Sequence, residues 1–433
     1  MKRRDFLTAG AGIVLAGLAG QPLRAAEAPR FSMFPEYRDH DPMVPVYVLP
    51  GNRALHRFFD TSPISPSGRY VALFRMPYED HSPQPGDAGD VILVDLESGE
   101  LRTIGRSRGW EVQVGANVQW GPTDEQLYFN DVDPATWQAF AVKMDPTTGA
   151  RQRLDGTVFM VSPDGTQAVS HNLVKSKRAQ VGYGAVVPDH LATRNVGPVA
   201  DDGVFVTDTD TGRSRMLVSL KTIYEQAEPS LRISDPENYE YYCFQAKWNP
   251  QGSRILTTVQ WSPLSGGERR RAVITMNADG SQIRTAVTPE QWAGGGHHIN
   301  WCPDGVRLSM NLNTDDDREL ELVTFRFDGA DLRKVFEPGS GHPSFHPGGR
   351  YMVTDAYPGE QVAFGNGLVP IRLINTEKAT CQDIIRINVS PVRGEFRVDA
   401  HPAWDRSGRY VTFNGWINDT RKVLVADLSR LVG

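Results

Sequence analysis

The chain has 433 residues, 39% hydrophobic and 23% charged, a normal globular composition with ample core. A formal net charge of −6 argues against a nucleic-acid-binding surface, and an anionic substrate would need its own basic pocket. Only Cys243, Cys302 and Cys381 occur, which excludes a disulfide framework; they read as small buried residues.

The first 28 residues read as an export signal. Lys2-Arg3-Arg4-Asp5-Phe6-Leu7 precedes an apolar run from Thr8 to Gly20 and a segment rich in small residues ending at Ala28. Paired arginines before Asp-Phe-Leu match a bacterial twin-arginine signal. The apolar run is short and glycine-rich for a membrane span, so no stable membrane insertion is expected after cleavage; an uncleaved anchor is the alternative. The expected location is the periplasm or the medium. Twin-arginine export carries folded proteins, often with a cofactor already in place, which favours a bound metal.

Residues 29–433 carry a repeated phrase. Its four fullest copies are Gln245-Ala-Lys-Trp248-Asn-Pro-Gln-Gly252, His298-Ile-Asn-Trp301-Cys-Pro-Asp-Gly305, His342-Pro-Ser-Phe345-His-Pro-Gly-Gly349 and His401-Pro-Ala-Trp404-Asp-Arg-Ser-Gly408. Further copies begin at Thr61, at Asn117 (with Asp124 in place of the glycine) and at Val158. Each is a strand and a hairpin turn, followed by an apolar strand such as Arg350-Tyr-Met-Val-Thr-Asp355. Seven units, mostly 40 to 60 residues apart, predict an all-β, single-domain, seven-bladed β-propeller over 29–433. The last unit lacks a fourth strand, which Val44–Leu49 is placed to supply, closing the ring and removing an exposed edge. Lys175–Asp202 reads as an insertion, Lys175-Ser-Lys-Arg178 as a solvated loop, and Leu217–Gln226 as a short helix.

In such a ring the first strand of each blade lines the channel, so Thr61, Asn117, Val158, Gln245, His298, His342 and His401 share one face. The strongest ligand types fall on four consecutive blades. Ends of second strands return to that face and carry Arg75, His171, Asp355 with Tyr357, and Trp416 beside Asn414. Residues two apart in extended chain point the same way, so Arg397, Asp399 and His401 share a side and His297 points away from His298. A single channel histidine is most simply bonded to water or backbone; three with a glutamine at one repeat position suggest ligands or catalytic groups. Trp248, Trp301, Phe345 and Trp404 read as core between blades, and His346 sits in a turn at the far end of its strand.

The Trp-x-Pro-x-Gly hairpins resemble TolB-type propellers. Gly296-His-His298-Ile-Asn-Trp301, Gly341-His342-Pro-Ser-Phe345 with Tyr351–Asp355, and Asp399-Ala-His401-Pro-Ala-Trp404 resemble the oligogalacturonate lyase family. That resemblance implies a divalent metal, manganese with calcium as the alternative, held by His342 and His401, and a base at His298. Asp399 stands where the family has a further histidine. The family's glutamine is missing near Phe396 and Arg397, and Gln245 is the substitute from another blade. The implied reaction is β-elimination on a uronic-acid-containing glycan, an acidic oligosaccharide or polysaccharide. Arg75, Arg397 and Tyr357 are candidates to bind the carboxylate or protonate the leaving oxygen, and His171, Asn117, Asp355 and Trp416 to line the substrate site. Two rivals remain at this stage: a non-catalytic TolB-like propeller binding a protein or glycan, and a glycoside hydrolase using Asp355 and Asp399 as its carboxylate pair.

Overall fold

The computed structural model describes residues 31–315, 319–389 and 394–433. The export signal lies outside them. Seven four-stranded antiparallel sheets form the blades of a propeller, spanning 54–107, 119–154, 160–219, 239–287, 296–336, 344–388 and 403–427. Among the described residues no helix is long and apolar enough to cross a membrane. Val46–Val48 pairs antiparallel with Thr420–Asp427 as the outer strand of the seventh blade, Val46 opposite Ala426. The ring is therefore closed by its N-terminal strand, as its unpaired edge required.

The phrase aromatic sits between blades, and its indole shows why a tryptophan suits the position. Trp120 Nε1 donates to Pro63 O at 2.8 Å, Trp301 Nε1 to Lys247 O at 3.2 Å, and Trp404 Nε1 to Ser344 O at 3.1 Å. Each acceptor is the carbonyl just before the equivalent position of the preceding blade. One side chain thus fills the seam and satisfies a buried inner-strand carbonyl. A second clamp lies thirteen residues after the polar phrase position. Asn130 bonds the Val158 backbone in both directions, Asn311 donates to Ser340 O and Gly341 O, and Asn414 accepts from the His56 N–H. All three reach across to the next blade.

Blade 1 departs from the sequence reading. Ala54–Leu55 pairs with Phe74 and Arg75, while Ile64 bridges Val71. The chain between them leaves the sheet and enters the channel. Arg57 touches Asn117 and the Phe159 ring, Asp60 pairs with Lys247, and Phe58 packs on His298, His342 and His401. One residue from each of the other six blades is contacted, which only a segment on the axis can do. The channel is plugged, and Thr61 accepts from Arg57 at 2.8 Å instead of joining a polar ring. The plug is held by charge as well as packing. Asp60 bonds Arg57 at 2.7 Å and Lys247 at 2.9 Å, and Lys247 also donates to Ile299 O at 2.9 Å, with all three side chains sealed from solvent.

The insertion is not a solvated loop at its start. Leu173–Ala179 is a helix capped by Asn172, with Ser176 buried and bonded to Leu173 O. It folds back over the ring: the Gly184 N–H donates to the buried Glu111 carboxylate at 2.6 Å, and Arg269 donates to Gln180 Oε1 and Ala179 O. The helix predicted over Leu217–Gln226 forms over Leu220–Gln226, after the outer strand Ser214–Ser219. All three cysteines are free.

Candidate active site at the channel mouth

The polar phrase position has an unusual backbone. Asn117, Gln245, His298 and His401 all have φ between 50° and 61°, the left-handed region that few non-glycine residues adopt. In blades 4 and 5 a register shift brackets the residue, between Phe244 and Ala246 and between His297 and Asn300. A bulge here re-aims the side chain toward the axis. It also explains why strict alternation fails at His297. That ring lies 4.5 Å from His298, lines the same cavity and approaches Glu360 at 3.5 Å, instead of pointing away.

Three histidine rings meet above the plug. The His298 and His342 centroids are 3.8 Å apart and those of His342 and His401 4.3 Å. Phe58 lies edge-on to all three, with His401 at 4.7 Å, and Phe59 packs on His298 and His342. These phenyl rings form an apolar floor, and nothing in an apolar doublet ahead of the Thr61 copy announces that role in sequence.

Hydrogen bonds fix two of the rings. His342 Nδ1 lies 2.9 and 3.0 Å from the two oxygens of Asp355. An ionised carboxylate only accepts, so Nδ1 carries a proton, and in the neutral ring Nε2 holds the lone pair. Burial by itself would push Asp355 up, but His342 and surrounding N–H groups more than reverse this and hold it ionised. Asp355 also accepts from the backbone of His342 at 2.6 Å, Ala400 at 3.1 Å and His401 at 3.2 Å. It occupies the inter-blade clamp position that is Asn in blades 2, 5 and 7. With both oxygens engaged it orients His342 and the backbone at Ala400 and His401, which leaves neither oxygen free to meet a substrate or to serve as one of a glycosidase's two carboxylates. His298 Nδ1 donates to Gly341 O at 2.6 Å, leaving its Nε2 toward the cavity. Gly341 has φ +44°, and a Cβ there would run into the Asp355 carboxylate, so the residue must be glycine.

His342, Asp399 and His401 bring one donor atom each to within 4.8 Å of one another, all buried. Among the described residues neither buried ring nitrogen of His401 has a hydrogen-bond partner, with Asp399 3.9 Å from Nε2, an arrangement that costs about 1–3 kcal/mol per group if nothing binds there. Burial, then the neighbouring His342, hold His401 neutral, well below its usual range. Burial also pushes Asp399 up, against the pull of Arg397 at 3.1 Å. Imidazole nitrogens and a carboxylate with an open side are what a divalent cation needs. The donor set fits one.

Beside this group opens a cavity of about 330 Å³ lined by His298, Gln245, Tyr357, Arg397, Tyr183 and Arg271, among others. The Tyr357 hydroxyl stands 3.3 Å from His298 Nε2 and 3.5 Å from His342 Nε2. Burial and the nearby Asp399 carboxylate raise it well above its usual range, so it stays protonated. Burial lowers His298 well below its usual value, reinforced by His342 and His297, so it is neutral. Burial opposes the charge of Arg397, and Asp399 more than offsets that.

Four expected site residues lie elsewhere. Arg75 is turned along its blade to Asp90 and Thr103. Asn117 is buried between Arg57 and Glu111 as part of the plug's anchorage. His171 occupies a clamp position but is walled between Phe159 and Phe244, both nitrogens unpartnered. Trp416 packs on the apolar core shared by blades 6 and 7. Conversely, Arg271 was overlooked; its signal was the basic triplet Arg269-Arg270-Arg271 opening a third strand.

Among solved structures, the chain is similar to an oligogalacturonate lyase in complex with manganese, with a TM-score of 0.63 at 15% identity over 91% of this chain and 96% of that one. An oligogalacturonate lyase from Vibrio parahaemolyticus gives 0.61 at 15% identity, with the same coverage. The fold is the one those lyases have. A putative TolB from Agrobacterium tumefaciens aligns more loosely, with a TM-score of 0.39 at 12% identity over 76% of this chain and 94% of that one. No protein-family model and no curated protein matches the chain.

Proposed function

We propose that this chain is an exported, metal-dependent lyase that cleaves uronic-acid-containing glycans by β-elimination. The observation that carries the reading is the buried His342, Asp399 and His401 group beside a cavity holding a neutral histidine, a tyrosine and two arginines. His342, Asp399 and His401 would hold the ion, with Gln245 on the facing cavity wall. Two imidazoles in three favour manganese over calcium, which takes oxygen ligands. When bound, the cation supplies charge neutralisation for a carboxylate whose α-proton is otherwise too weakly acidic to remove.

The other steps belong to side chains. Arg397 and Arg271 line the cavity and bind the uronate carboxylate. His298 takes the α-proton on Nε2, because its Nδ1 proton is committed to Gly341 O. The electron pair of that C–H bond forms the new C=C bond as the glycosidic C–O bond breaks. Tyr357, already in contact with His298 Nε2, protonates the departing oxygen. Phe58 and Phe59 keep water from the inner side, which strengthens each electrostatic contact.

The test is to purify the chain, measure bound metal and follow the ultraviolet absorbance of the unsaturated product on a panel of uronate glycans. Metal-bound protein that yields unsaturated product supports the reading. A metal-free chain, silent on every uronate tested, sinks it. His401→Ala is expected to lose metal while keeping its fold by circular dichroism; unchanged metal content would overturn the ligand assignment.

A further inference from the structure

The cavity does not end at the channel. A second depression of about 600 Å³ adjoins it over blades 4 and 5, and Arg271 and Trp292 line both. Arg269, Arg270 and Tyr239 complete the outer wall. Trp292 belongs to the capped helix Pro289–Ala293 and is fixed by its Nε1 donating to Gly296 O at 2.8 Å. It therefore stands as a fixed aromatic partition between the two spaces.

The charge in this depression is uncompensated. Among the described residues, Arg269, Arg270 and Arg271 make no ion pair. Arg269 donates to neutral acceptors, Gln180 Oε1 at 2.9 Å and Ala179 O at 2.7 Å. Arg270 lies over the Tyr239 ring at 5.9 Å and Arg271 over Trp292 at 5.9 Å. Burial lowers Arg271, and the charge of Arg269 lowers it further. Glu268 and Glu290 also border the depression but stay exposed and pair with none of the three. Two half-buried guanidiniums, Arg269 and Arg271, set beside the exposed Arg270 without a carboxylate partner are costly in a chain of net charge −6, unless an anion arrives to share them. Other arginines of this surface do have a carboxylate partner, as Arg307 has Asp331 and Arg75 has Asp90.

We propose that this outer depression is a binding subsite for a further acidic sugar of the same glycan, its carboxylate on Arg270 and Arg271 and its ring face against Trp292. The inference rests on the lyase reading for the identity of the sugar, but not for the charge of the chain. It makes the protein a reader of charge along the glycan: the two sugars joined by the scissile bond lie in the cavity, and the carboxylate of the next lies outside it. Chains longer than a disaccharide would then bind more tightly, and a neutral residue at the outer position would remove the gain.

Arg270 lines only the outer depression and is exposed, so Arg270→Gln is not expected to disturb folding. Binding of digalacturonate and tetragalacturonate is measured by calorimetry on the full chain in EDTA, so that no turnover intervenes. The expected result is a wild-type affinity about tenfold or more tighter for the tetrasaccharide, a gain that shrinks to about twofold in R270Q, as loss of one charge-assisted contact implies. An equal gain in both proteins overturns the subsite. If neither uronate binds, in EDTA or with manganese added, the lyase reading fails, and a heparin-derived tetrasaccharide decides the subsite. Weaker binding of that chain to R270Q than to wild type supports an anionic-glycan subsite, and no difference between the two proteins overturns it.

Discussion

Asp355→Asn tests the metal site through a residue that would not touch the metal. The carboxylate accepts from His342 N–H and Nδ1–H on one side and from the backbone of Ala400 and His401 on the other. Asparagine keeps one acceptor and puts an amino group in place of the second oxygen. If the amino group faces Ala400 and His401, it meets two N–H donors, and the entry to blade 7 loses contacts worth about 1–3 kcal/mol each. If it faces His342, the imidazole must move its proton to Nε2 and loses the lone pair that would bind the ion. Either way the site is disordered by a change of one heavy atom. Losing such a supporting contact costs roughly 10- to 100-fold in metal affinity, about 1.4 to 2.8 kcal/mol. Titration of manganese into EDTA-stripped wild type and D355N, followed by calorimetry or by the spin resonance of free Mn(II), reads the difference directly. Equal affinities would refute both the tautomer of His342 and its place among the ligands.

His171 gives a pH signature unrelated to catalysis. Burial lowers its folded pKa to about 3 against 6.5 unfolded, so the unfolded chain takes the proton first and stability is lost as pH falls from about 6.5 toward 3. At pH 4 this amounts to about 3 kcal/mol, which His171→Leu should abolish; parallel losses in urea melts at pH 7 and pH 4 for the two proteins would refute it. Lys247→Met leaves the buried Asp60 with Arg57 alone and is expected to destabilise by about 3 kcal/mol in denaturant melts, whereas a surface-like effect under 1 kcal/mol would show that the buried pair does not hold the axis. His298→Ala should lower product formation by at least about 100-fold with metal content unchanged, and Tyr357→Phe should lower kcat more than it changes KM. Loss of metal in H298A would move that residue from base to ligand.

The propeller and its closure are legible in the sequence because each blade repeats the same local solution. Trp120, Trp301 and Trp404 recur at one register since each must fill one seam and satisfy one carbonyl. His298, His342 and His401 meet as their shared repeat position requires, and the short-range rule that groups Arg397 with Asp399 holds at 3.1 Å. The rule fails at His297, where a bulge breaks alternation, and at the ends of second strands. There Asn130, Asn311 and Asn414 serve as clamps between blades, and only Asp355 turns that clamp toward the site.

What the tertiary structure alone decides lies off the repeat. The plug from His56 to Asp60, with Phe58 beneath three imidazoles, comes from a stretch that matches no other blade, so no repeat position predicts where it goes. Arg271 joins the cavity because blade 4 curves it past Trp292, and Arg75 leaves it because Asp90 captures its guanidinium. Sequence periodicity fixes which residues are equivalent in a ring. Which equivalent residues converge depends on packing and charge pairing with partners outside the repeat register, near in sequence as Asp90 is to Arg75 or far as Phe58 is from His298.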